Sequence, residues 1–123
     1  MTFNPSTPIV VGPRQRPAYN QPRRLMTWGT STSGDNMAYD TGVTERDIEC
    51  YFARVEHAVM LNLESFLLPL SGQEISVALD SGDDLGCGLS GTVSLLYVPN
   101  TFRAEYRYGT KWAVWVTLRY RQP

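Results

Sequence analysis

The sequence predicts a mainly β protein: an antiparallel β-sandwich or barrel-like sheet, with one inserted α-helix at about residues 55–67 and an extended N-terminal arm. Three observations predict this class. Apolar and polar residues alternate with a period of two over several segments, which is typical of strands with one solvated face. One segment instead has the spacing of an amphipathic helix. The first 34 residues hold five of the eight prolines, each of which fixes φ and removes a backbone donor.

The proline-rich start is assigned to an extended arm over residues 1–24, and residues 25–123 are assigned to one β domain. Proline favours extended chain over helix, so the arm is expected to contain at most a short strand at Pro8–Val11. A strand at Leu25–Trp28 begins the domain. Ordering such a segment costs about 1–2 kcal/mol per residue, so we expect a neighbouring molecule or the flank of the domain to hold the arm.

The middle of the chain passes from a strand to a helix. Thr44–Phe52 alternates strictly, with Ile48 and Cys50 on its apolar side. The helix follows, because the next apolar residues share one helical stripe. They are Val55, Ala58, Val59, Leu63, Phe66 and Leu67. Pro69 ends the helix.

The remaining strands come from alternation and turn residues. Four segments are predicted as strands: Glu74–Leu79, Thr92–Val98, Phe102–Tyr108 and Val114–Tyr120. Gly109 and Thr110 supply the turn of a hairpin between the last two segments. Asp80–Gly88 is predicted to be a loop, because it combines three glycines with three aspartates.

The charged residues form three blocks, although the net charge is only −1. Residues 1–34 hold four arginines and no acid, residues 35–84 hold eleven acids and two arginines, and the segment from residue 102 onward is basic again. Separated charges of opposite sign predict head-to-tail contacts between copies, which close into a ring if the rotation permits. Solvated faces of a monomer are the alternative. The residues expected at the interface are Arg14, Arg16, Tyr19, Arg23, Arg24, Asp80, Asp83, Asp84, Arg119 and Arg121.

The sequence shows no catalytic set, cofactor motif or metal site. A single histidine, His57, excludes a two-histidine metal site. The G-x-G-x-x-G spacing of Gly86–Gly91 precedes a β-rich segment rather than a helix, so it predicts a turn and no dinucleotide site. No apolar run approaches the ~20 residues that cross a bilayer. The arginines of the arm could follow a nucleic acid backbone, but the acidic centre of the chain would repel it, which argues against such a partner.

Three segments resemble the small minor tail proteins of long-tailed bacteriophages, also called distal tail proteins. They are Thr44-Glu45-Arg46 at the start of a strand, Leu63–Leu67 in the helix, and Trp112-Ala113-Val114-Trp115-Val116-Thr117-Leu118-Arg119 in the last strand. The resemblance extends from Gly42 to Arg121. It implies a β-sandwich protomer without enzymatic activity or cofactor, in a homo-oligomeric ring that is most often sixfold.

The resemblance also implies where such a ring works. The family sits at the tail tip or baseplate of the virion, where its ring joins the tail tube protein to the hub proteins, after synthesis in the cytoplasm of the host bacterium. Two alternatives remain open at this point. One is another phage structural component, such as a tail terminator, head–tail connector or capsid decoration protein. The other is a carbohydrate-binding β-sandwich module that uses Trp115 or Tyr51.

Overall fold

The computed structural model describes residues 1–4, 7–15, 20–30, 36–70 and 72–122, with side chains for 1–4, 7–15, 44–70 and 72–121. It is mainly β, with one helix in these ranges and an antiparallel sheet curled into a half-barrel. The elements in chain order are β1 Thr2–Phe3, β2 Ile9–Val10, β3 Asn20–Thr30, β4 Asn36–Glu56, α1 His57–Leu67, β5 Glu74–Ala78, β6 Thr92–Tyr97, β7 Arg103–Tyr108 and β8 Lys111–Gln122.

A single sheet contains every strand in the described ranges, in the order β2-β1-β5-β6-β8-β4-β3, and β7 pairs with β8. Of the two predicted forms, the barrel-like sheet is therefore confirmed, and the described strands form one sheet rather than a sandwich of two. β8 is the central strand. One of its edges pairs with β4 along nearly its whole length, and the other is shared by β6, at Arg119 and Leu118, and β7, from Trp115 to Lys111.

The core lies on the inner face of the half-barrel. It combines alternate residues of the strands with one stripe of the helix, and burial of such apolar surface is the main driving force for folding. Its buried members are Met1, Phe3, Val11, Ile48, Cys50, Phe52, Val55, Met60, Leu63, Leu67, Ile75, Val77, Leu85, Leu95, Tyr97, Val114, Val116 and Leu118.

The predicted helix is confirmed, and it begins two residues later than expected. Val55 and Glu56 still pair with Trp112 and Lys111 of β8, so the chain is extended at both positions. A shift in register between Phe52 and Val55 allows both side chains to be buried on one face, although they are three residues apart. The helix ends at Leu67, just before Pro69.

The first residues of the chain are not a separate arm, which corrects the predicted division at residue 24. Met1 and Phe3 are fully buried, and the Phe3 ring packs edge-on against Phe52 with its centroid 6.5 Å away. β1 pairs with β5 and with β2, which confirms a short strand inside Pro8–Val11. Burial of Met1, Phe3 and Val11 in the core offsets the entropy cost of ordering this segment.

Candidate interaction site

Two of the residues expected at an interface form a buried pair inside the chain. Arg14 donates from Nε to Asp83 Oδ2 at 3.0 Å and from Nη2 to Asp83 Oδ1 at 2.8 Å. The two side chains are only 3% and 2% exposed, respectively. Asp83 Oδ1 also accepts the backbone N–H of Leu85 at 3.0 Å. The pair therefore fastens the 80–91 loop to the N-terminal segment, and neither side chain is available to a partner.

The other two aspartates of this loop also have contacts within the chain. The amine of Met1 donates to Asp80 Oδ2 at 2.6 Å. Asp84 Oδ1 accepts the backbone N–H of Gly86 at 2.8 Å, at an exposed position. Gly86 and Gly88 have φ values of 73° and 78°, which glycine adopts readily. The predicted turn is confirmed, and β6 follows it.

The two basic residues near the end of β8 pair with acidic residues of β4 on the outer face of the sheet. Arg119 donates from Nε to Asp47 Oδ1 at 2.8 Å and also lies 3.4 Å from Glu45 Oε1. Arg121 donates from Nε to Glu45 Oε2 at 2.8 Å. The hydrogen bond that Arg119 donates to Asp47 raises the pKa of Arg119. Glu45 is only 3% exposed, whereas Asp47, Arg119 and Arg121 are partly exposed, so the ladder is anchored on a buried carboxylate.

The four remaining interface candidates belong to the predicted arm. The backbones of Arg23 and Arg24 lie in β3, directly opposite Glu45 and Thr44 of β4. Arg16 and Tyr19 lie outside the described residues. The expectation that separated charge blocks face other copies is therefore wrong for Arg14 and Asp83, which are buried against each other. Asp80, Arg119 and Arg121 are paired within the chain but partly exposed, so their place at an interface stays a prediction.

Neither cysteine thiol is activated in this environment. Burial raises the pKa of the Cys50 thiol to about 12 and also raises the pKa of Cys87. The ring of the exposed His57 packs near Trp112, with 5.7 Å between centroids. No cluster of metal-ligating side chains occurs in the described ranges. Nor does any described helix have the length and apolar character needed to span a membrane.

Trp115 lies in a packed row on the outer face. Tyr51 of β4 stacks on it with 5.0 Å between ring centroids, and the Arg103 guanidinium of β7 lies 4.0 Å from the indole centroid. β4 and β7 flank β8 on opposite sides, so the two neighbours approach Trp115 from opposite sides. Stacking on a sugar requires an open ring face, and this arrangement does not favour that use of Trp115.

A two-stranded β-ribbon extends beyond the rest of the sheet. Residues 26–30 of β3 pair with residues 36–40 of β4, whereas the pairing of β4 with β8 starts only at Thr44. In the part of the chain that the structure describes, the ribbon strands pair only with each other over these residues. The sequence pattern predicts the strand at Leu25–Trp28 but not its partner. The alternation of Met37 and Tyr39 with Ala38 and Asp40 was the available signal.

A second exposed edge is formed by β7. This strand pairs with β8 and with no other described strand. Tyr106 and Tyr108 are each 56% exposed, although the Tyr106 ring also contacts the edge of Trp112. The ribbon and the edge of β7 are thus two surfaces whose backbone groups are open to pairing with another chain, and each is longer than the two-residue strand β2 at the other end of the sheet. Comparison of the chain with protein families, curated proteins and solved structures finds no match.

Proposed function

We propose that this chain is a structural subunit that assembles with copies of itself, in the ring at the tail tip or baseplate of a bacteriophage. The observation that carries the proposal is the β-ribbon of β3 and β4. An isolated two-stranded ribbon is at best marginally stable in water, because it cannot bury both of its faces. A protein that works through assembly can stabilise such an element in a neighbouring subunit.

The environment of the reactive groups agrees with an assembly role. Cys50 and Cys87 are held as neutral thiols, and the carboxylates of Asp47 and Asp83 are paired with arginines. The open surfaces are backbone edges with aromatic residues, which are typical of protein interfaces. The phage assignment rests on the resemblance of the segments within Gly42–Arg121. By that resemblance the ring contacts the tail tube protein and the hub, and the protein resides in the virion.

Light scattering coupled to gel filtration tests the assembly proposal, with electron microscopy of the same fractions. The expected result is a species several times the 13.8 kDa mass of the chain, seen as discrete annuli. A chain that stays at 13.8 kDa over the full accessible concentration range would contradict the proposal. Binding to isolated tail tubes, compared with a heat-denatured sample, then tests the phage assignment separately.

A further inference from the structure

The ribbon and β7 lie at different places along the sheet. The ribbon pairs around Ala38 of β4, whereas β7 lies beside the part of β8 that pairs with Tyr51 and the residues after it. At about 3.3 Å per residue, at most roughly 40 Å of extended strand separates Ala38 from Tyr51. β3 and β7 also lie on opposite sides of the β4–β8 pair, and they do not pair with each other in the described residues.

The edge of β3 is protected over only half of its length. Pro22 lacks a donor, and the register shifts between Arg24 and Met26. Both features, together with charged residues, disfavour pairing with another strand. Residues 26–30 contain neither proline nor a charged residue, and they include Trp28. Among the described strands, only β4 pairs with this half, so its outer edge is open to strand addition.

The two edges differ in charge. Residues 25–43, which contain the ribbon, hold two acidic residues and no basic residue, whereas residues 103–111 hold three basic residues and one acidic residue. Arg107 and Lys111 are paired with Glu105 and Glu56 within the chain, so the edge of β7 keeps a small positive excess. β7 supplies six residues of exposed strand, with Tyr106 and Tyr108 at the surface. Tyrosine and tryptophan are the residue types that contribute most to interface energies.

We propose that residues 26–30 of one copy pair edge to edge with β7 of a second copy. This proposal rests on the proposed function, because it names the surfaces through which that assembly forms. The contact joins two different surfaces, so it is heterologous: it generates a ring if the rotation closes and a filament if it does not. Main-chain hydrogen bonds supply much of the affinity in such strand addition, and the exposed aromatic residues supply specificity.

The test uses one variant for each edge. Trp28→Glu adds an acid to the acidic ribbon, and Tyr108→Asp places an acid on the basic edge of β7. Each variant alone is expected to associate more than about ten-fold more weakly than the parent chain. An equimolar mixture retains one intact pair of edges between unlike chains. It is therefore expected to form a complex of twice the 13.8 kDa chain mass, measured by light scattering.

The matched control is Leu68→Glu, since Leu68 is 65% exposed on another surface. It is expected to assemble like the parent chain. Recovery of the complex on mixing also shows that both variants are folded, and circular dichroism checks each one separately. If the mixture stays monomeric while both variants are folded, the proposed contact is wrong.

The outcomes also distinguish failure of this proposed contact from failure of the proposed assembly function. A parent chain that is itself monomeric contradicts the assembly function. A parent that assembles, together with a Tyr108→Asp variant that assembles equally well, leaves that function intact and overturns the pairing with β7. Loss of assembly with Trp28→Glu alone then indicates that two copies of β3 pair with each other.

Discussion

At the scale of single residues, the buried pair of Arg14 and Asp83 determines how the N-terminal segment joins the domain. The two residues are 69 positions apart, and each is held by two hydrogen bonds to the other. No local sequence pattern predicts such a pair, because it depends on the three-dimensional path of the 80–91 loop. The sequence therefore predicts that Arg14 and Asp83 lie at the surface, whereas in the structure they form a buried ion pair with each other.

Removing one charge of this pair is expected to destabilise the fold. Asp83→Asn keeps the size of the side chain but leaves the Arg14 guanidinium buried without its counter-charge. The expected loss is about 3–5 kcal/mol in the free energy of unfolding. Urea denaturation followed by circular dichroism measures it.

The double variant Arg14→Met with Asp83→Leu is the control for that experiment. Replacing both charges by apolar side chains removes the uncompensated charge, so most of the lost stability is expected to return. A cost below about 1 kcal/mol for Asp83→Asn, as found for exposed ion pairs, would show that the pair is solvated and does not hold the segment in place.

The thiol of Cys50 is expected to make stability depend on pH in the alkaline range. Burial raises its pKa from 9.0 to about 12. The unfolded chain releases this proton at a lower pH than the folded chain does. The contribution of the Cys50 thiol to the free energy of unfolding is therefore fully present below pH 9 and is lost as the pH rises toward 12.

Cys50→Ala provides the comparison, because it lacks the titrating thiol. The difference in the free energy of unfolding between the parent and Cys50→Ala is expected to shrink as the pH rises from 9.0 toward about 12. Urea denaturation at several pH values measures the difference. A difference that stays constant over this range would mean that the thiol is accessible to water in the folded chain.

At the scale of elements, the helix and the core strands were the most predictable parts of the fold. Their apolar residues repeat with the period of the structure that they form, so Thr44–Phe52 and the stripe of α1 could be identified directly. The start of the helix was misplaced at Val55, because cross-strand pairing with Trp112 outweighs the helical spacing there. Such pairing depends on a strand more than fifty residues away.

The stripe of α1 yields a test with two substitutions on one helix. Leu63 is fully buried, and Leu61 is 43% exposed. Leu63→Asp is expected to unfold the domain, because it buries an unpaired charge. Leu61→Asp is expected to change the free energy of unfolding by no more than about 0.5 kcal/mol. Thermal unfolding by circular dichroism distinguishes them, and equal tolerance of both would mean that the faces of the helix are reversed.

The β-ribbon was the element that sequence reasoning found only in part. The strand at Leu25–Trp28 was identified, but the first half of β4 lies in a segment with a weak apolar pattern and a glycine at position 42. In the structure this segment is a strand because it pairs with β3, from Met26 opposite Asp40 to Thr30 opposite Asn36. The open edges could not be predicted, because they depend on which residues of β4 and β7 pair with β8.

At the scale of the whole molecule, the separated charges turn out to stabilise the fold. The acidic residues of β4 pair with the basic residues of β8 across one ladder, with Arg119 between Asp47 and Glu45. Residues far apart in the sequence become neighbours because an antiparallel sheet places the end of the chain beside its middle. Asymmetric charge along a chain therefore does not by itself identify an intermolecular surface.

Neutralising this ladder is expected to weaken folding and to leave assembly unchanged. Glu45→Gln removes the charge that Arg119 and Arg121 share, so the free energy of unfolding is expected to fall by about 1–3 kcal/mol. Light scattering is expected to give the same assembled mass for Glu45→Gln as for the parent chain. If Glu45→Gln loses assembly but keeps its stability, the charge ladder contacts another copy of the chain, and the expectation is wrong.

The most direct measurement of the account as a whole is the molar mass of the intact chain in solution as a function of concentration, obtained by sedimentation equilibrium. We expect one discrete oligomer whose mass is a whole-number multiple of 13.8 kDa. A single 13.8 kDa species at every concentration would show that the exposed edges have no partner in a second copy and would contradict the proposed assembly.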